Sequence, residues 1–310
     1  MLIDVILFVA AFVGVWIGAG IIVKSLHKFA RSNRYSEFAT SFLLLGLLTS
    51  VPELGVGLNA VAENEPSIFV GNLLGGIVTI FLLIIPILAI AGNGIKLSHS
   101  FSRRNLILCL MTIALPTFFI LDGMVTNIEG ILMLVAYIAL LFVMFEEGHT
   151  FRQSIVNPVN LVIPKDKFAI LKIIGGVIIV FISSRVIVDH TIAISEMFNI
   201  QPFFLSLFVI SLGTNIPELS LAIRTVYSGQ KDIAFGNYLG SAAANVLLFG
   251  VFTLMSADAV IAVENSVLTF LVITTALFWF YYFLRSNNNI SRKEGIALLA
   301  IYLLFLFTQV

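Results

Sequence analysis

Two carboxylates stand where an apolar chain has least reason to place them. Glu53 and Glu218 each follow a proline within hydrophobic runs, in "TSVPEL" (49–54) and "TNIPEL" (214–219). Proline lacks an N–H and collides with the preceding turn. Pro52 therefore frees the Leu48 carbonyl and loosens that of Thr49, and Pro217 does the same at Gly213 and Thr214. Freed carbonyls and ionisable side chains are costly in hydrocarbon unless they meet a partner or line a wet cavity. No Lys or Arg lies in the middle of either run to pair with the glutamates, whereas a bound cation satisfies every one of these groups. Carboxylates, carbonyls and Thr hydroxyls make an all-oxygen cage of the kind that hard cations such as calcium select. One calcium ion, two sodium ions or two protons neutralise two carboxylates equally well, which is the physical basis for exchanging one for another.

A second motif recurs with the first. "FVGNLLGG" (69–76) is echoed by "AFGNYLGS" (234–241), and Asn72 and Asn237 are separated by 165 residues, as are Glu53 and Glu218. Two motifs sharing one offset identify a duplication. Gly71 and Gly75, like Gly236 and Gly240, have the small-xxx-small spacing that lets helix backbones approach closely, so these segments are expected to cross the proline-broken ones. Asn72 and Asn237 are candidates for lining the site. Ser241 and Asn245 extend the polar side in the second copy, where the first copy has Gly76 and Ile80 at the same offsets. The cage is therefore expected to be poorer on the first-copy side.

The elements that carry these residues must cross a membrane. Of 310 residues, 59% are hydrophobic and 11% charged, too little polarity to cover a soluble domain. Apolar runs of the length a bilayer demands recur near 2–24, 37–62, 67–92, 104–121, 124–146, 168–188, 202–227, 232–256, 263–284 and 293–309. They are continuous rather than alternating, which argues against a barrel. The fold class expected is an all-α integral membrane protein of ten helices, with five spans in 1–146, a cytoplasmic connecting loop at 147–167 and five spans in 168–310. Because five is odd, the second copy enters from the opposite side, and the repeats are inverted. With the N- and C-termini outside, every basic residue except Arg185 falls on the inside of this arrangement, the distribution the positive-inside rule requires. Inverted repeats belong to secondary transporters that bind substrate near the midplane.

These motifs resemble the α1 and α2 repeats of the calcium/cation antiporter superfamily, closest to its sodium/calcium exchanger branch, whose repeats read G-T-S-x-P-E and G-N-x-x-G-S-N-x-x-N. The resemblance spans the whole chain and implies the prokaryotic type, with no large cytoplasmic regulatory domain. It places the central glutamates at Glu53 and Glu218, carbonyl donors at Gly46, Thr49, Ser211 and Thr214, hydroxyl ligands at Ser50 and Ser241, and an amide ligand at Asn245. It implies calcium export driven by sodium, without a bound cofactor. The chain departs from the pattern at Gly76 and Ile80, where Ser and Asn are usual, and at Asn215, where Ser is usual; Asn215 is nonetheless expected among the metal ligands. Calcium/proton exchange is the alternative that those departures leave open, with a degenerate relative of altered selectivity beside it.

Other classes fit less well. No H-E-x-x-H or G-x-S-x-G stretch suggests an enzyme. The balanced charge, 17 basic and 17 acidic residues, gives no reason to expect nucleic acid. A channel could use the same cage, but an inverted duplication favours alternating access. The partners expected are inorganic cations and the lipid bilayer, and one chain holds both motifs, so a monomer is sufficient for the site. Cys109 is expected to pack as a small hydrophobe. His27, His99, His149 and His190 fall at span ends or in loops, and "ENE" (63–65) reads as a solvated mouth loop.

Overall fold

The computed structural model describes residues 2–30, 41–96, 103–146, 167–228, 231–256, 260–262, 266–287 and 289–309. Helix α1 is Leu2–Ala30. Next comes a broken helix. Its first part, α2, is a π-helical turn, Ser41–Leu45, running into Gly46–Thr49, and its second part, α3, is Val51–Ala62. Helix α4 starts as Pro66–Thr79 and continues through a π-helical turn, Ile80–Ile84, into Ile85–Ala91. Helices α5 (Arg103–Phe119) and α6 (Asn127–Glu146) precede α7 (Lys167–Phe198). A second broken helix follows. Helix α8 is Pro202–Leu205, a π-helical turn Ser206–Ile210, and Ser211–Thr214; helix α9 is Ile216–Ser228. Helices α10 (Lys231–Met255), α11 (Ser266–Asn287) and α12 (Arg292–Gln309) complete the chain.

Among the described residues, seven helices are long and apolar enough to cross a membrane, or eight if α8 and α9, bent by 43° at their junction, form one span. The protein is thus an all-helical membrane protein. Helix α3 is too short to cross by itself, and α12 begins with three charged residues, Arg292, Lys293 and Glu294. The parts of the expected spans at 37–40 and 263–265, and the connecting loop through residue 166, lie outside the described residues, as do His99 and His149. Helix α7 outruns the expected span 168–188 by ten residues. Hydropathy falls at Arg185, Asp189 and His190, but Arg185 and Asp189 form an i,i+4 pair at 3.1 Å that suits continued helix.

Four strands of two or three residues among the described residues were not expected from the sequence, because so short an alternation is invisible beside a helical period. They are β1 (Ile95–Lys96), β2 (Met124–Thr126), β3 (Val260–Ala262) and β4 (Asn289–Ile290). β1 pairs antiparallel with β4, and β2 with β3, so each ladder ties a segment of the first half to one of the second.

Burial separates the centre from the periphery. In the apolar windows of α4 and α10, 83% and 78% of residues are buried, against 22% in both α6 and α7. Aromatic contacts lock the two central helices together: the Phe69 ring lies 5.8 Å from Phe249 and 5.5 Å from Phe252. Phe280 of α11 joins them, at 4.8 Å from Phe81 and 5.7 Å from Phe235. The outer faces of α1, α6 and α7 instead present large apolar side chains such as Val9, Val135 and Ile182, as lipid contact demands. Cys109 is a free thiol in the interior.

Close backbone approach brings the central helices onto the broken ones. A Cβ on Gly75 of α4 would collide with the Leu207 carbonyl of α8, and one on Gly240 of α10 with the Phe42 carbonyl of α2. The glycine spacing thus does what it suggested: α4 crosses the broken helix of the second half, and α10 that of the first.

Candidate cation site

The site is built on the two helix breaks. Ser50 and Asn215 carry φ/ψ of −84°/8° and −88°/14°, in the bridge region, and end α2 and α8. Two residues on, Pro52 and Pro217 occupy the first turns of α3 and α9, where a missing N–H costs little. Glu53 and Glu218 therefore stand in first turns, where the helix dipole favours negative charge. Helices α2 and α8 end just before these turns, at Thr49 and Thr214. A cation at the break would meet the carbonyl end of one segment and the carboxylate of the next.

The sequence candidates converge. Glu53 and Glu218 are wholly buried and close enough to interact electrostatically. Thr214 stands beside Glu53, and Thr49 beside Glu218. The Thr49 hydroxyl donates to Asn237 Oδ1 at 3.2 Å, and that of Thr214 to Asn72 Oδ1 at 3.1 Å. Each threonine of one half is thus held by the asparagine of the other, and the two bonds interchange under the 165-residue offset.

Other contacts differ between the halves. Ser50 Oγ donates to the Gly46 carbonyl at 2.8 Å and lies 3.2 Å from Ser241 Oγ, which donates to Glu218 Oε1 at 2.9 Å. On the other side, Asn215 Nδ2 donates to the Ser211 carbonyl at 2.8 Å and directly to Glu53 Oε1 at 3.1 Å. Asn215, expected among the ligands, turns its nitrogen to the carboxylate: two acceptors flank that end of the amide, so only N–H fits there. Asn245 Nδ2 donates to the Leu73 carbonyl at 3.3 Å. Gly76 faces both amides; a Cβ there would lie 2.5 Å from Asn245 Nδ2 and 3.4 Å from Asn215 Nδ2. Ile80 is wholly buried. Gly46 packs against the Gly240 backbone, so its side-chain position is sealed and only its carbonyl serves the site.

Four buried oxygens in this group have no hydrogen-bond donor among the described residues: Glu53 Oε2, Glu218 Oε2, Asn215 Oδ1 and Asn245 Oδ1. Leaving a buried polar atom unpaired costs about 1–3 kcal/mol, and more for a charged one. All four are acceptors, which a cation can answer; beside them the donors Asn72 Nδ2 and Asn237 Nδ2 are also buried without a partner among the described residues. Among the described residues no group of three or more His, Cys, Asp or Glu is arranged to hold a metal. The donor set is two carboxylates with neutral oxygens, which suits a hard ion.

Sequence reasoning passed over Thr79, which is buried with Oγ1 3.4 Å from Ser211 Oγ. Its position three residues after Gly76, on one helical face, was the available signal. At the mouth, Glu63 of "ENE" is not simply solvated. It pairs with Arg185, the basic residue that broke the charge rule, and Arg185 also holds Asp189.

Buried carboxylates at two helix breaks in an apolar bundle are the candidate cation site of this helical membrane protein. The chain belongs to the sodium/calcium exchanger protein family, whose model matches residues 3–146 and 168–310. It is 27% identical over 295 residues to the putative antiporter CaxA of Alkalimonas amylolytica, covering 91% of this chain and 90% of that one. It is 22% identical over 331 residues to the sodium/calcium exchanger MaX1 of Methanosarcina acetivorans, covering 93% of each. Its fold matches that of the sodium-calcium exchanger NCX_Mj from crystals soaked with sodium and strontium, with a TM-score of 0.70 at 22% identity over 99% of both chains.

Proposed function

We propose that this chain is a secondary antiporter that moves calcium across a membrane, the cell membrane in the simplest case, in exchange for sodium. The calcium ion is held between Glu53 and Glu218, completed by oxygens of Asn245, Ser241, Ser50 and the carbonyl ends of α2 and α8. The observation that carries this reading is the pair of buried carboxylates, each with an oxygen that no donor among the described residues reaches. Two negative charges at that depth are tolerable only when metal ions or protons neutralise them.

Alternating access follows from two inverted five-helix repeats, 1–146 and 168–310, joined by the loop 147–167, with both termini outside. Several facts support the repeat. The π-helical turns Ser41–Leu45 and Ser206–Ile210, the breaks at Ser50 and Asn215, and the two Thr–Asn bonds all coincide under one offset. The family match also divides between 146 and 168.

A second reading, with protons as counter-ion, is favoured by one contact. The Asn215 amide occupies Glu53 Oε1, and a proton needs a single oxygen where sodium needs a shell. Calcium uptake into proteoliposomes under an imposed sodium gradient, repeated under a pH gradient, decides. Sodium-driven uptake supports the first reading and uptake driven by pH alone the second. Calcium flux that needs no counter-ion contradicts both and indicates a channel.

A further inference from the structure

We propose that Asn215 is a built-in stand-in for a second cation: it occupies Glu53 Oε1, so that calcium is shared through Glu53 Oε2 and sodium binds at a single position on the Glu218 side. The inference rests on the reading that Glu53 and Glu218 hold the transported cation. An amide nitrogen has two N–H groups and no lone pair to offer a metal. Both N–H groups of Asn215 are committed, one to Glu53 Oε1 and one to the Ser211 carbonyl. Those two oxygens would otherwise be neighbouring ligands, and the nitrogen sits between them where an ion would. Its Oδ1 lies on the other arm of the amide and cannot serve that position.

The surroundings hold the amide there and withhold replacements. Gly76 supplies no side chain, and a Cβ would press on Asn245 Nδ2 at 2.5 Å and reach Asn215 Nδ2 at 3.4 Å. Ile80 fills the next turn with a buried hydrocarbon. The equivalent position in the other half works differently. There two hydroxyls 3.2 Å apart line the position, Ser50 donating to the Gly46 carbonyl and Ser241 to Glu218 Oε1. A hydroxyl rotates its proton away and offers a lone pair when an ion arrives; an amide N–H cannot.

The test is competition between sodium and calcium for the purified protein, followed by calcium binding at fixed pH, in the wild type, Asn215→Ser and Gly76→Ala. Competition in the wild type should show a Hill coefficient near one. Asn215→Ser returns a rotatable hydroxyl and should move it toward two, with calcium affinity changing much less. Gly76→Ala, which crowds both amides without adding an oxygen, should lower calcium affinity and leave the coefficient near one. A wild-type coefficient near two, no competition by sodium, or a coefficient unchanged in Asn215→Ser overturns the inference. Glu218→Gln is the control that separates the two ideas. If it abolishes calcium binding while Asn215→Ser leaves the coefficient unchanged, the shared-carboxylate site stands and the amide's role falls. If Glu218→Gln binds calcium as the wild type does, the site itself is misassigned and both fall.

Discussion

The two halves of the site use one plan with different chemistry. Each offers a glutamate in the first turn after a break and a threonine tied to the asparagine of the opposite half. On the Glu218 side the remaining contacts are hydroxyls, Ser50 and Ser241. On the Glu53 side they are an amide N–H from Asn215, a glycine and an isoleucine. In the proposed site, backbone symmetry would set where a cation is held, and side-chain asymmetry how many and of what kind. A duplicated fold keeps its breaks because the proline, the bridge-region residue and the glycine crossing depend on one another, whereas each lining side chain varies alone.

The strongest way to break this comparison is to neutralise either carboxylate. Glu53→Gln and Glu218→Gln should each abolish calcium uptake while the protein stays folded. Removing one charged partner costs about 3–5 kcal/mol in a buried pair, or at least ~100-fold in affinity. Uptake in proteoliposomes, with a melting curve to verify folding, checks both. Retained exchange in either variant would remove that glutamate from the site.

Asn245→Ala comes next. It deletes a buried oxygen without a donor and strands the Leu73 carbonyl, so calcium affinity measured by calorimetry should fall about 10-fold, from roughly 1–1.5 kcal/mol for such a group. Ile80→Asn sharpens the contrast from the other side. It restores a polar group to the poorer half and should change the sodium dependence of uptake more than calcium affinity; an unaltered sodium response refutes that role. Arg185→Gln should have the smallest effect. Its pairs with Glu63 and Asp189 are substantially exposed, at 46% for the arginine side chain, and such pairs contribute at most about 1 kcal/mol. Uptake should change by no more than ~5-fold, and a complete loss would show that the mouth pair does more than hold α7 to the end of α3.

Much of the site was legible in the sequence because its determinants are chemically loud. A carboxylate beside a proline in an apolar run has few explanations, and the shared 165-residue offset paired the two motifs before any coordinates. The glycine spacing at 71 and 75 correctly implied close crossing. Gly14 and Gly18 of α1 carry the same spacing, and they meet Ser183, Gly176 and Val180 of α7; that signal was overlooked because no charged residue drew attention to it. What the sequence could not convey was direction. Asn215 reads as one more polar ligand, and only its position between two acceptors turns its nitrogen toward Glu53. The two- and three-residue strands escaped for a different reason, being pairings across the chain with no local period. Helix α7 ran past its expected end because polar residues stop a hydropathy window but not a helix.

The central claim is that one cation is shared by two carboxylates from opposite halves. Anomalous diffraction from crystals soaked in calcium tests it most directly. One strong peak is expected within about 2.3–2.6 Å of an oxygen of both Glu53 and Glu218. A peak bound to one glutamate alone, or elsewhere in the bundle, would contradict it.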